Sequence, residues 1–220
     1  AVCEIPTNSM NKTFATLKNY IKPDDYLNSV KAFFVMQDTY KEFPDNDKFE
    51  GAFVNRDIYN MRARNYILSR LENFENKAPI TIENYTIEHI MPQNKNLSLE
   101  WQTNLGPEWQ EVQKKYLHTI GNLTLTAYNS EMSDRPFLDK MDMLGGFKES
   151  ALRINKYVVL QNEWNETHIQ ERANELAKKA EVIWPYPALT ATELAPYQAE
   201  EKTVQKYSLE SYDVNAFTRM

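Results

Sequence analysis

Glycine and cysteine are scarce in this chain of 220 residues. Its five glycines argue against a glycine-rich phosphate-binding loop and against a β-sandwich with many tight turns. The single cysteine, Cys3, excludes an internal disulfide framework and a zinc cluster built from cysteines. No apolar run approaches the roughly 20 residues that span a bilayer, and the first residues carry no secretion signal. We therefore expect a soluble protein of a reducing compartment.

Positive charge is also in short supply. The chain has 25 Lys and Arg against 31 Asp and Glu, which gives a net charge of −6. Binding to nucleic acid needs Lys and Arg to neutralise phosphates, so this total argues mildly against a nucleic-acid-binding protein. A local basic groove, or a divalent cation bound at a site, remains compatible with it. Hydrophobic residues make up 42% of the chain, which predicts a folded core rather than disorder.

Apolar residues at helical spacing dominate both ends of the chain, and β-favouring residues lie between them. The pattern predicts helices at residues 13–21, 23–40, 57–74, 108–116, after 133–136, and from 165 to 185. It predicts short strands around 80–82, 85–87 and 120–126, and loops at 42–47 and 94–107. The predicted fold class is therefore α+β, mainly helical, with a small β element embedded in it.

A change of composition near residue 78 and prolines at 185 and 187 suggest domain boundaries. We expect a helical subdomain at 1–78, a second domain at 79–187, and a linker or the start of a truncated further domain at 188–220. The chain has no initiator Met, and its last eight residues resemble the beginning of a helix. These two features predict a domain excised from a longer protein.

The residues most suited to catalysis or metal binding are Glu88 and His89, followed by Asn122 and Asn129. Metal-assisted hydrolysis of a phosphodiester needs a base with a pKa near neutrality, and histidine meets this need. It also needs oxygen ligands for a hard divalent cation, which Glu and Asn side chains supply. Taken singly, a His beside a Glu is more often structural, and an Asn after a Gly is more often a turn residue.

Several separated motifs occur in an order that resembles that of a known family. Residues 85–93 read YTIEHIMPQ, residues 118–125 read HTIGNLTL, and matching positions continue through Asn129, Phe137 and Lys140 to Ile183-Trp184-Pro185. Together they resemble the C-terminal nuclease domain of the GmrSD-type, modification-dependent restriction endonucleases, a branch of the His-Me finger (HNH-like) superfamily. The resemblance spans roughly residues 57–187, and it implies a ββα-metal motif within the helical domain.

The resemblance also implies roles for individual residues. Glu88 would be an acidic metal ligand and His89 the general base that activates water. Asn122 would brace the loop behind the base, and Asn129 would be the last ligand of a single Mg²⁺, Mn²⁺ or other divalent cation. Lys140 matches a recurrent lysine and is a candidate phosphate contact, although a solvated helix lysine explains it equally well.

His118 is a candidate for a phosphate contact or a second acid, again by position alone. Asp134 stands where the family more often has Asn, and the acidic ligand is Glu88 rather than the Asp common in the wider superfamily. Neither departure removes a base or a ligand.

The expected function is a metal-dependent DNA endonuclease of phage defence in the cytoplasm of a bacterium or archaeon. Its substrate would be DNA, including modified phage DNA, and its partner an N-terminal NTPase or modification-sensing domain or subunit outside this chain. No membrane role is expected. The alternatives are a catalytically silent module that binds DNA or a partner, and a nuclease directed at RNA.

Overall fold

The computed structural model describes residues 1–8 and 10–198, and within them the chain forms two compact units. The smaller unit comprises Glu4–Pro44 and the described residues from Tyr186 onward. The larger unit comprises Ala1–Cys3 and Asp45–Pro185. Residues 199–220, which include most of the predicted linker, lie outside the described residues.

The smaller unit is helical. It contains α1 (Met10–Leu17), a 3-10 turn at Pro23–Asp25, α2 (Tyr26–Val35), and helical backbone at 191–198. Edge-to-face contacts between aromatic rings contribute to its core. The centroid of the Phe34 ring lies 6.0 Å from that of Phe14 and 5.9 Å from that of Phe43. The two helices predicted before residue 40 are confirmed, but the second ends five residues earlier than predicted.

The larger unit is mainly helical with one small sheet. Its α-helices are α3 (Asn46–Asn55), α4 (Arg64–Glu72), α5 (Leu99–Leu105), α6 (Trp109–Tyr116), α7 (Asn129–Met132), α8 (Phe137–Asp142) and α9 (Glu166–Ile183). Its strands are β1 (Thr86–His89) and β2 (Leu123–Thr126). None of the helices in the described part of the chain is long and apolar enough to cross a membrane.

Polar side chains cap the N-termini of three of these helices. Each accepts a hydrogen bond from a backbone N–H group that has no partner within the helix. The side chain of Asp45 accepts from the N–H of Lys48 at 2.8 Å and starts α3. Asn165 accepts from the N–H of His168 at 3.2 Å and starts α9, and Ser98 starts α5 in the same way.

The two strands pair antiparallel, with Thr86 opposite Thr126 and His89 opposite Leu123. All four residues of β2 are buried, so the helices cover it on both faces. The sheet is therefore an interior element that fixes the position at which β1 ends.

Two clusters of buried side chains form the core of the larger unit. The first joins α3, α4, β2 and α9: Phe53, Ile58, Ile67, Leu68, Leu71, Ile120, Leu123, Leu125, Leu152, Ile154, Ala173, Leu176, Ala177 and Ala180. The second surrounds the segment after β1: Ile90, Met91, Leu97, Trp101, Leu105, Val112, Tyr116, Met132, Phe137, Met141, Phe147, Val158, Trp164 and Ile169.

Helix α9 packs directly on the 3-10 turn Ile120–Asn122 that leads into β2. A Cβ atom on Gly121 would lie 2.2 Å from the carbonyl oxygen of Ile169, so only glycine permits this approach. The fully buried Arg172 donates hydrogen bonds to carbonyls of that turn and of two neighbouring segments. The glycine therefore serves close packing, whereas the sequence predicted only a turn.

Several predictions for this unit are wrong. The predicted loop at 94–107 contains α5, in which Trp101 and Leu105 are buried, and α3 begins inside the predicted loop at 42–47. The segment 80–82 is not a strand. The predicted helix at 57–74 begins only at Arg64. The predicted final helix is confirmed, with its apolar stripe buried.

The compact units also differ from the predicted domain boundaries. Helices α3 and α4 lie before residue 78, yet both pack against α9 in the larger unit. The α+β class stands, as a mainly helical chain with a two-stranded sheet.

Candidate active site

A polar cleft of about 360 Å³ opens where β1 ends. Its lining residues are Glu88, His89, Pro92, Gln93, Asn94, Asn129, Ser133 and Asp134. Adjacent residues of a strand point to opposite faces, yet both Glu88 and His89 line this cleft because the strand ends at His89. The structure thus brings together three of the residues singled out in the sequence, Glu88, His89 and Asn129.

Asn122 lies behind the cleft and is completely buried. Its Oδ1 accepts from the N–H of Met91 at 2.8 Å and from Nε1 of Trp164 at 3.2 Å. Its Nδ2 donates to the carbonyls of Met91 and Leu117, each at 3.0 Å. Every donor and acceptor of the amide is in use. Asn122 therefore positions the segment after His89 and does not line the cleft.

Glu88 forms a buried ion pair with Lys140, whose side chain is fully buried. The Nζ of Lys140 donates to Oε1 of Glu88 at 2.5 Å and to the carbonyls of His89 and Ile90 at 3.0 and 3.2 Å. The three oxygens match the three N–H donors of an ammonium, as expected for an ion pair with the carboxylate of Glu88. Burial raises the pKa of Glu88 and lowers the pKa of Lys140, and the attraction between the two charges opposes both shifts.

The expectation that Lys140 contacts phosphate is replaced by this arrangement. Its ammonium has no exposed surface, does not line the cleft, and is already bonded to three oxygens. Its place in the fold is that of an internal counter-charge for Glu88.

His89 is buried between the cleft and a second histidine. Its Nε2 lies 3.0 Å from Nδ1 of His118, and the ring of Tyr59 meets it edge-on at 4.5 Å. Burial, reinforced by His118 and Lys140, lowers the pKa of His89 to about 3, and the charge of Asp57 opposes the fall only weakly. The imidazole of His89 is therefore neutral at pH 7. His118 is not among the residues that line the cleft.

Asn129 is the first residue of α7 and lines the cleft beside β1. Its Nδ2 donates to the carbonyl of Ile87 at 2.6 Å, which links α7 to β1. Because the amide nitrogen is used in this way, Oδ1 is the end of the side chain that remains for a ligand.

A hydrogen bond joins Asn94 and Asp134, which form one part of the rim of the cleft. Nδ2 of Asn94 donates to Oδ2 of Asp134 at 3.0 Å, and this bond lowers the pKa of the exposed carboxyl group. Behind the rim, Nε2 of Gln113 donates to the carbonyls of Pro92 and Asn94, each at 2.9 Å. Ser133 adopts a φ of 41°, the left-handed turn that leads to Asp134.

The donor set fits a hard divalent cation held by few protein ligands. One carboxylate oxygen of Glu88 is not used by Lys140, and Oδ1 of Asn129 supplies a second oxygen in the same cleft. Mg²⁺ is commonly held by one or two side chains, with water and substrate phosphate as further ligands. No group of three or more His, Cys, Asp or Glu side chains suited to a metal occurs among the described residues.

Three contributors to this site were not identified from the sequence. Tyr59 and Gln113 lie far from His89 along the chain, and neither belongs to a motif with a known chemistry. Asp134 was noted only as a departure from a pattern. Their roles arise from long-range contacts, for which a single sequence carries no signal.

Comparison with known proteins gives one match. A family model described as "GmrSD restriction endonucleases, C-terminal domain" matches residues 43–179, which is more than half of the chain. The matched range contains the whole lining of the cleft. No curated protein and no solved structure matches the chain.

Proposed function

Because this chain belongs to the family of GmrSD restriction endonuclease C-terminal domains, we propose that the cleft at the end of β1 hydrolyses phosphodiesters of DNA by a His-Me finger mechanism. The observation that carries the proposal is the convergence of Glu88, His89 and Asn129 on one cleft. The order β1, β2 and then α7, with Asn129 at its first position, supports a ββα arrangement of these groups.

His89 is the proposed general base. Its lowered pKa leaves the imidazole unprotonated at pH 7, so a ring nitrogen is available to accept a proton from water. A pKa of about 3 also makes this imidazole a weaker base than the near-neutral histidine expected from the sequence. The water oxygen forms a bond to phosphorus while the bond from phosphorus to the 3′ oxygen breaks. The products are a 5′-phosphate and a 3′-hydroxyl, and the proton on His89 returns to solvent or to the departing oxygen.

A divalent cation is the proposed cofactor because of the charge balance of the cleft. Two carboxylates, Glu88 and Asp134, line it, and no Lys or Arg is among its lining residues in the described part of the chain. A phosphodiester would therefore meet net negative charge. A cation such as Mg²⁺ or Mn²⁺, held by Glu88 and Asn129, would polarise the phosphate and stabilise the charge on the departing oxygen.

Lys140 contributes to this chemistry from inside the protein. Its contact with Oε1 of Glu88 favours the carboxylate and opposes the rise in pKa that burial causes, and the carboxylate is the state that a cation requires. Asn122 keeps the segment after His89 in place through both halves of its amide. Neither side chain is proposed to touch the substrate.

Substrate choice is a further part of the proposal. The family supports DNA as substrate, and we propose action on modified phage DNA in a bacterial or archaeal cytoplasm, together with an N-terminal NTPase or modification-sensing partner. A catalytically silent binding module and an RNA-directed nuclease are the outcomes that the test must separate from this one.

The test compares supercoiled plasmid, modified phage DNA and RNA as substrates, each with Mg²⁺, with Mn²⁺ and with EDTA. We expect cation-dependent cleavage of DNA that the substitution His89→Ala abolishes while the chain still folds. His168→Ala is the matched control, since that histidine lies on α9 outside the cleft lining. Binding without cleavage would indicate the silent module, and cleavage of RNA alone would indicate the RNA nuclease.

A further inference from the structure

His118 is fixed in place more firmly than a residue of a connecting loop requires. Its carbonyl oxygen accepts hydrogen bonds from the N–H groups of Ile58 and Tyr59, at 2.9 and 3.3 Å. The carbonyl of the preceding Leu117 accepts from Nδ2 of Asn122 at 3.0 Å. The backbone on both sides of the imidazole is thus tied to separate parts of the fold.

The ring of His118 is also clamped. Tyr59 stacks on it, with ring centroids 5.2 Å apart and planes inclined by 11°, and the same tyrosine meets the edge of His89. Tyr59 is itself held by Arg64, whose Nη1 donates to its carbonyl at 2.7 Å. Asp57 closes the turn by accepting from the backbone and side-chain N–H groups of Asn60.

The clamped ring presents Nδ1 to Nε2 of His89 at 3.0 Å. A contact of this length between two imidazole nitrogens contains one proton, which belongs to one ring or the other. If Nε2 of His89 carries it, Nδ1 of His89 is left with a free lone pair. If Nδ1 of His118 carries it, Nδ1 of His89 is protonated and cannot accept a proton from water.

We propose that His118 is a positioning residue that accepts the Nε2–H of His89 and so holds His89 in the tautomer whose Nδ1 is the base. This inference rests on the proposed role of His89. The partner of a ring nitrogen determines which tautomer a catalytic histidine adopts, and the fixed ring of His118 serves as that partner. His118 keeps its own proton on Nε2, and Nε2–H of His89 stays donated while Nδ1 gains and releases the proton from water.

The ring of Tyr59 contacts the imidazoles of both His89 and His118. The tyrosine fills the space beside both imidazoles, so neither ring can rotate about its bond to Cβ without displacing it. The turn Asp57–Asn60 therefore forms part of the active site, although it lies about 30 residues before β1.

The experiment uses the whole chain labelled with ¹⁵N, and NMR of the imidazole nitrogens reports the tautomer of each histidine. The chain has three histidines, so the variants His118→Asn and His168→Asn complete the assignment. We expect His89 to be protonated at Nε2 and unprotonated at Nδ1. His118→Asn should preserve this state because the amide oxygen replaces the acceptor Nδ1, whereas His118→Ala should yield a mixture of tautomers.

Cleavage kinetics on plasmid DNA supply the second readout. We expect His118→Ala to lower kcat by about 10- to 100-fold with little change in KM, as the loss of a hydrogen-bonded partner behind a functional group does. His118→Asn should recover most of that loss, and His168→Asn should leave kcat unchanged. Equal losses in the Asn and Ala variants would show that His118 acts only through packing.

The two readouts separate this inference from the proposed function. A wild-type His89 protonated at Nδ1, or a tautomer unchanged in His118→Ala, would overturn the inference. The NMR measurement needs no cleavage, so a chain that cuts no DNA contradicts the proposed function while the tautomer of His89 still decides the role of His118.

Discussion

The ammonium of Lys140 lies 2.5 Å from a carboxylate oxygen of Glu88, and the two side chains are only 0% and 4% exposed. One partner lines the cleft, whereas the other approaches from the protein interior on α8. The arrangement places a positive charge behind the carboxyl group of Glu88, whereas none of the described residues that line the cleft is a Lys or an Arg. It also makes each charge dependent on the other, because either one alone would be buried without compensation.

Removal of Lys140 is the first test of this dependence. We expect Lys140→Met to lower the free energy of unfolding by about 3–5 kcal/mol, since it strands the buried carboxylate of Glu88. The double variant Glu88→Gln/Lys140→Met should be more stable than the single one, because neither charge remains. Urea unfolding at pH 7 in EDTA measures both.

The exposed pair of Lys148 and Asp142 offers a matched control. Lys148→Met should change the stability by less than about 1 kcal/mol, because solvent screens an exposed ion pair. The pH dependence has a definite sign in Lys140→Met. Burial then raises the pKa of Glu88 without opposition, so this variant should gain stability as the pH falls towards the ordinary carboxyl range. A variant that is as stable as the wild type at pH 7 would contradict the ion pair.

Two glycines provide a paired prediction about packing. Gly121→Ala places a Cβ atom 2.2 Å from the carbonyl oxygen of Ile169 and 2.9 Å from its Cγ2, so α9 must shift. We expect a loss of about 1–3 kcal/mol or more. Gly51→Ala lies within α3 with nothing inside 4 Å, and it should stabilise the protein by about 0.5–1 kcal/mol. Thermal and urea unfolding of both variants give the comparison, and equal effects would contradict the close approach of α9.

Arg172 connects α9 to the segment before β2, and its replacement is the third prediction. Its Nη1 donates to the carbonyls of Ile120, Gly121 and Leu123, and its Nη2 to that of Ile154. Arg172→Met removes a donor from all four carbonyls, of which that of Ile120 keeps the N–H of Leu123, and each buried group left unpaired costs about 1–3 kcal/mol.

We therefore expect Arg172→Met to be among the least stable variants of this chain, and Arg172→Lys to recover only part of the loss because an ammonium cannot reach two separate segments. Lys178→Met on the exposed face of α9 is the control, and its stability should remain within about 0.5 kcal/mol of the wild type. Hydrogen exchange of the amides in β2 would report the loosening directly. An Arg172→Met variant with wild-type stability would contradict the role of these bonds.

The pKa of His89 predicts how stability depends on pH. It is lowered to about 3 in the folded chain from the ordinary value of 6.5, so the unfolded chain binds a proton that the folded chain does not. Stability from this group is therefore present above pH 6.5 and is lost as the pH falls towards 3, with a slope of at most about 1.4 kcal/mol per pH unit.

The measurement is urea unfolding at several pH values between 7 and 4, in EDTA, for the wild type and for His89→Asn. The variant cannot gain this proton, so its stability should fall less steeply over the same range. Parallel pH profiles would show that His89 keeps an ordinary pKa in the folded chain.

Helices with a strong apolar stripe were predictable from the sequence, and weakly patterned ones were not. Helix α9 repeats buried residues at Ile169, Ala173, Leu176 and Ala180, and its cap Asn165 marks its start. Helix α5 buries only Trp101 and Leu105 among polar residues, so its seven residues resemble a loop. Helices of this kind are stabilised by the tertiary packing of a few large side chains, and such packing produces no periodic pattern in the sequence.

For the site, the sequence identified side chains but not their partners. Glu88, His89 and Asn129 were singled out and lie together. Lys140 was a candidate phosphate contact and His118 a candidate phosphate contact or second acid, and the structure places them against Glu88 and His89. Lys140 shows why: a lysine on a short helix has the same appearance in sequence whether its ammonium faces solvent or a buried carboxylate.

By itself, the sequence determined the fold class, the family and the residues able to supply a base and oxygen ligands, because these depend on residue type, local order and motif spacing. The tertiary structure decided that β1 ends at His89, so that two adjacent side chains share one cleft. It also decided the ion-pair partner of Glu88 and the hydrogen-bond partner of His89, which are Lys140 and His118, 52 and 29 residues away along the chain. Ionisation and tautomer depend on burial and on neighbours in space, and only the folded chain defines either.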